Sequence, residues 1–210
     1  PMSVTCAFKP SKRQALNREV AASLIGAGYP AGERRVVGVV YGSHDDPDGE
    51  TRERYSMIGA RVAEFPLSRR AASAAHAMMS PVIMGAPNVV RRKSQAGNVS
   101  AQDLVADGLC DALVSDFHIP ALPLAVWALV DRGLASLPQA WALVSSNPAE
   151  ILRMPDRGRL DPGLRADMVI VHALTRVIEA TVSGGRLAYL AGEAAHRFLA
   201  QPQTLALAAE

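Results

Sequence analysis

The chain has 210 residues, enough for one domain or one domain plus a small appendage. Hydrophobic residues make up 49% and aromatics only 5%, with alanine at many small-residue positions; this suits close helix–sheet packing and argues against an all-β sandwich. A formal net charge of +2 is too small to imply nucleic acid or an anionic membrane as partner.

No run is apolar for long enough to span a bilayer. The opening PMSVTCAFKP lacks the charged and apolar regions of a signal peptide. The two cysteines, Cys6 and Cys110, make no disulfide framework, and a cytoplasmic location is expected.

Residues 1–10 form an irregular start without pattern. Ser11 to Gln14 has capping-box spacing, and Leu16, Val20 and Leu24 follow on one helical face. Val36 to Val40 reads as a strand apolar on both faces, as in a parallel sheet covered by helices. It runs into Ser43-His44-Asp45-Asp46. A helix is expected from about Gly49 to Gly59, then a short strand at Arg61–Phe65 and an alanine-rich helix over Ser68–Met79. Pro81–Met84 is the next strand. A long polar loop is expected from Gly85 through Asn88 to Asn98.

Ser100 and Asp103 have capping-box spacing ahead of a short helix closed by Gly108. Ala112–Val114 is the fourth strand, followed by helices over about Leu122–Arg132 and Leu137–Leu152. In the last, Ser136 caps, Gln139 completes the box, and Leu137, Ala140, Trp141 and Val144 make the buried stripe. After Pro155 three β segments follow, at Met168–His172, Arg176–Val182 and Arg186–Tyr189, the last two joined at Gly184-Gly185. The tail from Glu193 is expected to be helical or frayed.

Four strand–helix units in sequence imply parallel strands with right-handed crossovers, and their C-terminal ends share one rim. The first end carries His44, Asp45 and Asp46. The second carries Glu64. The third carries Asn88 and, through its loop, Arg91, Arg92, Lys93, Gln95 and Asn98. The fourth carries Asp116 and His118. Imidazole and carboxylate suit a divalent metal, and long cations with amides suit a phosphate. His44 is read as a metal ligand, Glu64 as a ligand or a buried ion-pair partner, and the 91–93 triplet as a phosphate clamp. Asp45 and Asp46 are expected to serve the turn, one of them beside His44. A four-stranded flavodoxin-like domain is the alternative architecture, although it lacks a glycine-rich first loop.

The ordered segments VVYGSHDD, AEFP, VIMGAPNVVR, GNVSA, LVSDF, SSNPAEIL and GRLDPGLRADMVIV resemble the PhnM family. These are amidohydrolase-superfamily proteins of phosphonate degradation. The likeness runs from about Ser11 to Ala191. It implies an α/β fold: the last four units of a (β/α)8 barrel over residues 11–155, a small β segment over 156–192 and a tail over 193–210. It implies hydrolysis of a ribose methylphosphonate triphosphate with release of pyrophosphate, aided by a divalent metal such as zinc, manganese or iron. It implies metal-binding roles for His44 and Asp116, with Asp116 also taking the proton of the attacking water. Glu64 stands where many superfamily members have a further histidine, and Asn88, Arg91, Arg92, Lys93 and Asn98 fall in the family's phosphate-contacting loop. The superfamily's first-strand HxH pair has no counterpart here, and the loop carries long cations where the family is glycine-rich. Half a barrel would leave two strand edges bare, so a homo-oligomer joined at its edges is expected.

Overall fold

The computed structural model describes residues 40–94 and 97–199. The expected helix after Ser11, Gln95, and residues 36–39 of the first expected strand lie outside the described residues.

Four short strands form a parallel sheet in sequential order: β1 (Gly42–His44), β2 (Val62–Glu64), β3 (Val82–Gly85) and β4 (Ala112–Val114). This order excludes the flavodoxin-like alternative, in which the first strand lies inside the sheet. The fold is thus mixed α/β with a parallel sheet. Gly42 permits the tight seam between the first two strands, because a Cβ there would stand 2.6 Å from the Val62 carbonyl oxygen.

The crossovers are helical. Asp48 caps α1 (Gly49–Met57) by accepting from the Thr51 amide at 2.8 Å. Ser68 caps α2 (Arg69–Ala77) by accepting from the Ala71 amide at 3.1 Å. Ala71, Ala72 and Ala75 are fully buried, so the small residues of α2 bring its backbone close to the sheet.

Two expectations are corrected. The stretch after Gly85 is not wholly loop: α3 (Ala86–Arg91) starts at once, with Pro87 in its first turn, where a missing amide costs nothing. Ser100 does not cap α4 (Ala101–Ala106) with its side chain; Asn88 Oδ1 accepts from the Ala101 amide at 3.0 Å instead.

After β4 come α5 (Ala121–Asp131), α6 (Leu137–Ala142) and α7 (Ser146–Ile151). The expected single helix over Leu137–Leu152 is therefore two, broken at Leu143 to Ser145. The capping box at Ser136 and Gln139 is present, with the Ser136 amide donating to Gln139 Oε1 at 3.0 Å. Of the expected stripe Ala140 is buried, Trp141 and Val144 pack partly on the core, and Leu137 is exposed.

The core lies between the sheet and these helices. Val82, Met84 and Leu113 meet Leu104, Val126 and Leu129 there. Each such side chain contributes about 1.5–3 kcal/mol on burial. Cys110 opens β4's approach as a buried thiol, its pKa pushed up to about 12 by desolvation.

A second, antiparallel sheet follows: β5 (Met168–Val171), β6 (Ile178–Ser183) and β7 (Arg186–Leu190). Gly184 and Gly185 both have positive φ, as a two-residue hairpin turn requires. The tail forms α8 (Gly192–Leu199), whose first amides, Glu193 and Ala194, donate to the Glu179 carboxylate. Arg176 joins this sheet to α5, pairing with Asp131 at 2.6 Å and stacking 4.8 Å from the Trp127 ring.

Candidate active site

Register decides which side chains share a face of a parallel sheet. Ser43, Ala63, Val82, Met84 and Leu113 form one alternate set, and the last four lie in the helix-packed core. The other set therefore faces away from the helices: His44 beside Glu64, Glu64 beside Ile83, and Gly85 beside Val114. His44 and Glu64 are thus direct neighbours at the C-terminal ends of β1 and β2, both half-buried. Asp116 follows β4 at the same end of the sheet and is exposed, as is His118.

Backbone bonds stitch the rim loops together. The Asp45 amide donates to the Glu64 carbonyl at 3.0 Å, the Leu67 amide to the Asp46 carbonyl at 2.9 Å, and the Val99 amide to the Leu67 carbonyl at 3.1 Å. The last bond brings Asn98, next to Val99, back toward the rim. Three rim residues have positive φ without being glycine: Asp45 (59°), Phe65 (51°) and Asp116 (53°). Such conformations cost about 1–2 kcal/mol each, and aspartate offsets part of that through local hydrogen bonds. Phe65 has no such compensation. Its ring lies edge-on to His44, with centroids 5.0 Å apart. It occupies space left by Gly85, where a Cβ would come within 3.2 Å of Phe65 Cε1.

The turn after β1 divides its two aspartates. Asp45 Oδ2 lies 2.9 Å from His44 Nδ1, which matches the expectation that one of them stands beside His44. Asp46 instead goes underneath the sheet and is almost fully buried. The Ser43 hydroxyl donates to it at 2.5 Å, and Arg52, fully buried on α1, approaches it at 3.5 Å. Arg52 also donates to Ser43 Oγ (2.5 Å), the Val62 carbonyl (3.1 Å) and the Ala60 carbonyl (2.6 Å). Burial raises the Asp46 pKa above the usual carboxylate value, opposed by Ser43 and Arg52; burial likewise lowers that of Arg52.

The third strand's residues are spread out. Asn88 serves α4 as its amide acceptor. Arg91, Arg92 and Lys93 are all exposed at the end of α3. Arg91 lies 5.1 Å from the Phe117 ring, so its guanidinium stands beside the residue that follows Asp116. Arg92 adopts a left-handed conformation as the helix cap. Arg132, unremarked in the sequence, holds this helix end by donating to the Val89 carbonyl at 2.8 Å and to Gln102 Oε1 at 2.9 Å.

Among the described residues no group of three or more His, Cys, Asp or Glu could hold a metal ion. The donor set falls short: His44 and Glu64 stand together, while Asp116 does not close around them. The described residues therefore do not by themselves fit a catalytic metal.

The opposite end of the sheet carries its own polar cluster. His76 Nε2 and Asp111 Oδ2 are 2.9 Å apart, and the Val82 amide donates to the same oxygen at 2.7 Å. They line a cavity of about 540 Å³ with Arg61 and Arg153. That cavity sits where the strands begin, away from the rim. Phe65, Arg52 and this pair carried no periodicity or motif; only EFP, quoted within the family pattern, touched one of them.

No family model matches the chain. Its fold is that of amidohydrolase structures. A crystal structure of an amidohydrolase superposes with a TM-score of 0.57 at 14% identity, covering 84% of this chain and 48% of that one. The β-aspartyl dipeptidase of Fervidobacterium islandicum AW-1 gives 0.55 at 15% identity, covering 85% and 53%.

In sequence the chain is 40% identical over 136 residues to alpha-D-ribose 1-methylphosphonate 5-triphosphate diphosphatase of Escherichia coli (strain K12), 64% of this chain and 36% of that enzyme. The resemblance to PhnM read from the motifs is thus a homology over most of this chain. The chain spans about a third of that relative's length and about half of the solved structures'. No helix among the described residues is long and apolar enough to cross a membrane.

Proposed function

We propose that this chain carries the C-terminal half of an amidohydrolase-type barrel whose reaction is hydrolysis of ribose 1-methylphosphonate 5-triphosphate with release of pyrophosphate, in the cytoplasm. The observation that carries the reading is the in-register pair His44 and Glu64 at the same sheet end as Asp116, in a chain 40% identical to that diphosphatase. In this reading His44 and Glu64 supply part of a divalent-metal site whose remaining donors come from outside the described residues. The exposed Asp116 carboxylate takes the proton of the attacking water. Arg91, Arg92 and Lys93 offset the charge of the triphosphate, and Asn88 and Asn98 order the loop that presents them. A carboxylate near water and cations near phosphate are the groups such a displacement needs.

The test is a coupled pyrophosphate assay on the purified chain with that substrate, with zinc, manganese or iron(II) added. Release that falls at least tenfold in Asp116→Asn supports the reading. A folded chain that neither binds the triphosphate nor releases pyrophosphate refutes it for this polypeptide.

A second reading is favoured by the incomplete donor set: a non-catalytic half-barrel that associates with a second copy of itself. Light scattering separates the two. A dilute, stable monomer contradicts this second reading.

A further inference from the structure

We infer that Phe65 is a positioning residue, its ring seated in the gap left by Gly85 and holding the His44 imidazole in one orientation at the mouth of the sheet. The inference rests on the reading of His44 as a residue of the rim site at which the triphosphate binds.

Five observations converge on it. Phe65 has φ 51°, a conformation that bulky residues rarely adopt and that persists only where the surroundings dictate it. The Phe65 amide donates to the Ile83 carbonyl at 2.9 Å and Pro66 behind it is fully buried, so the backbone is fixed on both sides. The ring meets His44 edge-on at 5.0 Å with an interplanar angle of 74°, the favoured aromatic arrangement. Opposite, a Cβ on Gly85 would come within 3.2 Å of Phe65 Cε1, so the ring sits in close contact with a residue that has no side chain. Asp45 Oδ2, 2.9 Å from His44 Nδ1, closes the other side of the imidazole. The imidazole thus stands between a carboxylate and an aromatic ring, both carried on residues of positive φ, Asp45 at 59° and Phe65 at 51°.

A core role alone would not require strain at a strand end; a leucine in a relaxed loop would fill the same space. What a strained aromatic adds is a fixed direction for its neighbour.

The experiment is nuclear magnetic resonance of the histidine ring protons in the intact chain, titrated with inorganic pyrophosphate. In the wild type the His44 signals carry the ring-current displacement of Phe65 and move with pyrophosphate. Phe65→Leu is expected to abolish the displacement, average the His44 signals and weaken pyrophosphate about 2- to 13-fold, the range of one aromatic pair. Phe65→Tyr restores both. Gly85→Ala crowds the ring, shifting it by a few tenths of an ångström, and so moves the His44 signals with both rings intact; it carries the test if Phe65→Leu does not fold. Unchanged His44 signals and affinity in Phe65→Leu, or unchanged signals in Gly85→Ala, overturn the inference. Wild-type His44 signals indifferent to pyrophosphate overturn the underlying reading, whatever the variants do.

Discussion

Replacing Arg52 with Met tests the buried support of the rim. Arg52 is fully buried and Asp46 is 1% exposed, so removing the cation leaves a carboxylate with no compensating charge. Breaking a buried pair in this way costs about 3–5 kcal/mol. The carbonyls of Ala60 and Val62 lose their donor as well, which keeps the expectation at the upper part of that range. For a chain of this length the loss corresponds to a fall of about 6–20 °C in Tm.

The pH dependence fixes the mechanism. Burial raises the folded-state pKa of Asp46 above its ordinary 3.8, so the folded state binds the proton more tightly than the unfolded chain. Its contribution is fully present below 3.8 and is lost as pH rises through the raised folded value. Removing Arg52 removes a charge that opposes this rise. Arg52→Met should therefore cost more at pH 7 than at pH 4, and Asp46→Asn in the same chain should recover part of the loss. Urea unfolding followed by the fluorescence of Trp127 and Trp141 measures all of this. A loss below about 1 kcal/mol at pH 7, or a larger loss at pH 4, would refute the argument.

Arg132→Met strips the end of α3 of its side-chain donor and should cost about 1–3 kcal/mol, with faster hydrogen exchange confined to residues 86–91. Gly158→Ala should destabilise by about 1–3 kcal/mol, because φ is 94° and the new methyl would meet Ala149 Cβ at 2.7 Å; urea unfolding decides it. Arg176→Met should loosen the small sheet from α5, seen as a change in Trp127 emission. In the wild type the Arg176 hydrogen bond holds Asp131 below its ordinary pKa of 3.8, so this tie is present above 3.8 and lost as acid protonates Asp131; emission that ignores both changes would contradict it.

The second, third and fourth strands were legible as short runs bounded by turn residues, and Ala112–Val114 was placed to the residue; β1 was not, because Gly42-Ser43-His44 reads as the turn after the strand expected at Val36 to Val40. Two misreadings are opposite in kind: Pro87 reads as the opening of a loop, whereas Pro148 reads as the interior of one helix, and in both cases the proline sits in the first turn of a new helix. The rim was legible at His44 and Glu64, since parallel strands put their ends together. Arg52 was not: among Glu50, Thr51, Glu53 and Arg54 it looks like one more solvated charge, and only the sheet above it makes it a buried one. Phe65 entered only within the family segment AEFP, because its place against Gly85, twenty residues away and one strand over, shows only in the fold.

Bare strand edges were the ground for expecting self-association, and the described edge at β4 weakens that ground. The Leu113 amide donates to the Leu143 carbonyl at 2.8 Å, and Asn147 Nδ2 donates to the Asp111 carbonyl at 2.9 Å. A strand added beside β4 would have to displace both bonds, each worth about 0.5–1.5 kcal/mol, before gaining its own. The small antiparallel sheet bears no such guard among the described residues: Leu187 and Tyr189 on its edge strand β7 are half exposed, and Met168 and Val169 on the other edge are partly so. Any pairing of two copies should therefore run through β7 sooner than β4. Replacing Tyr189 with Lys, an edge-blocking residue, should abolish association in light scattering, whereas Val114→Lys should leave it intact. The reverse outcome would return the interface to the parallel sheet.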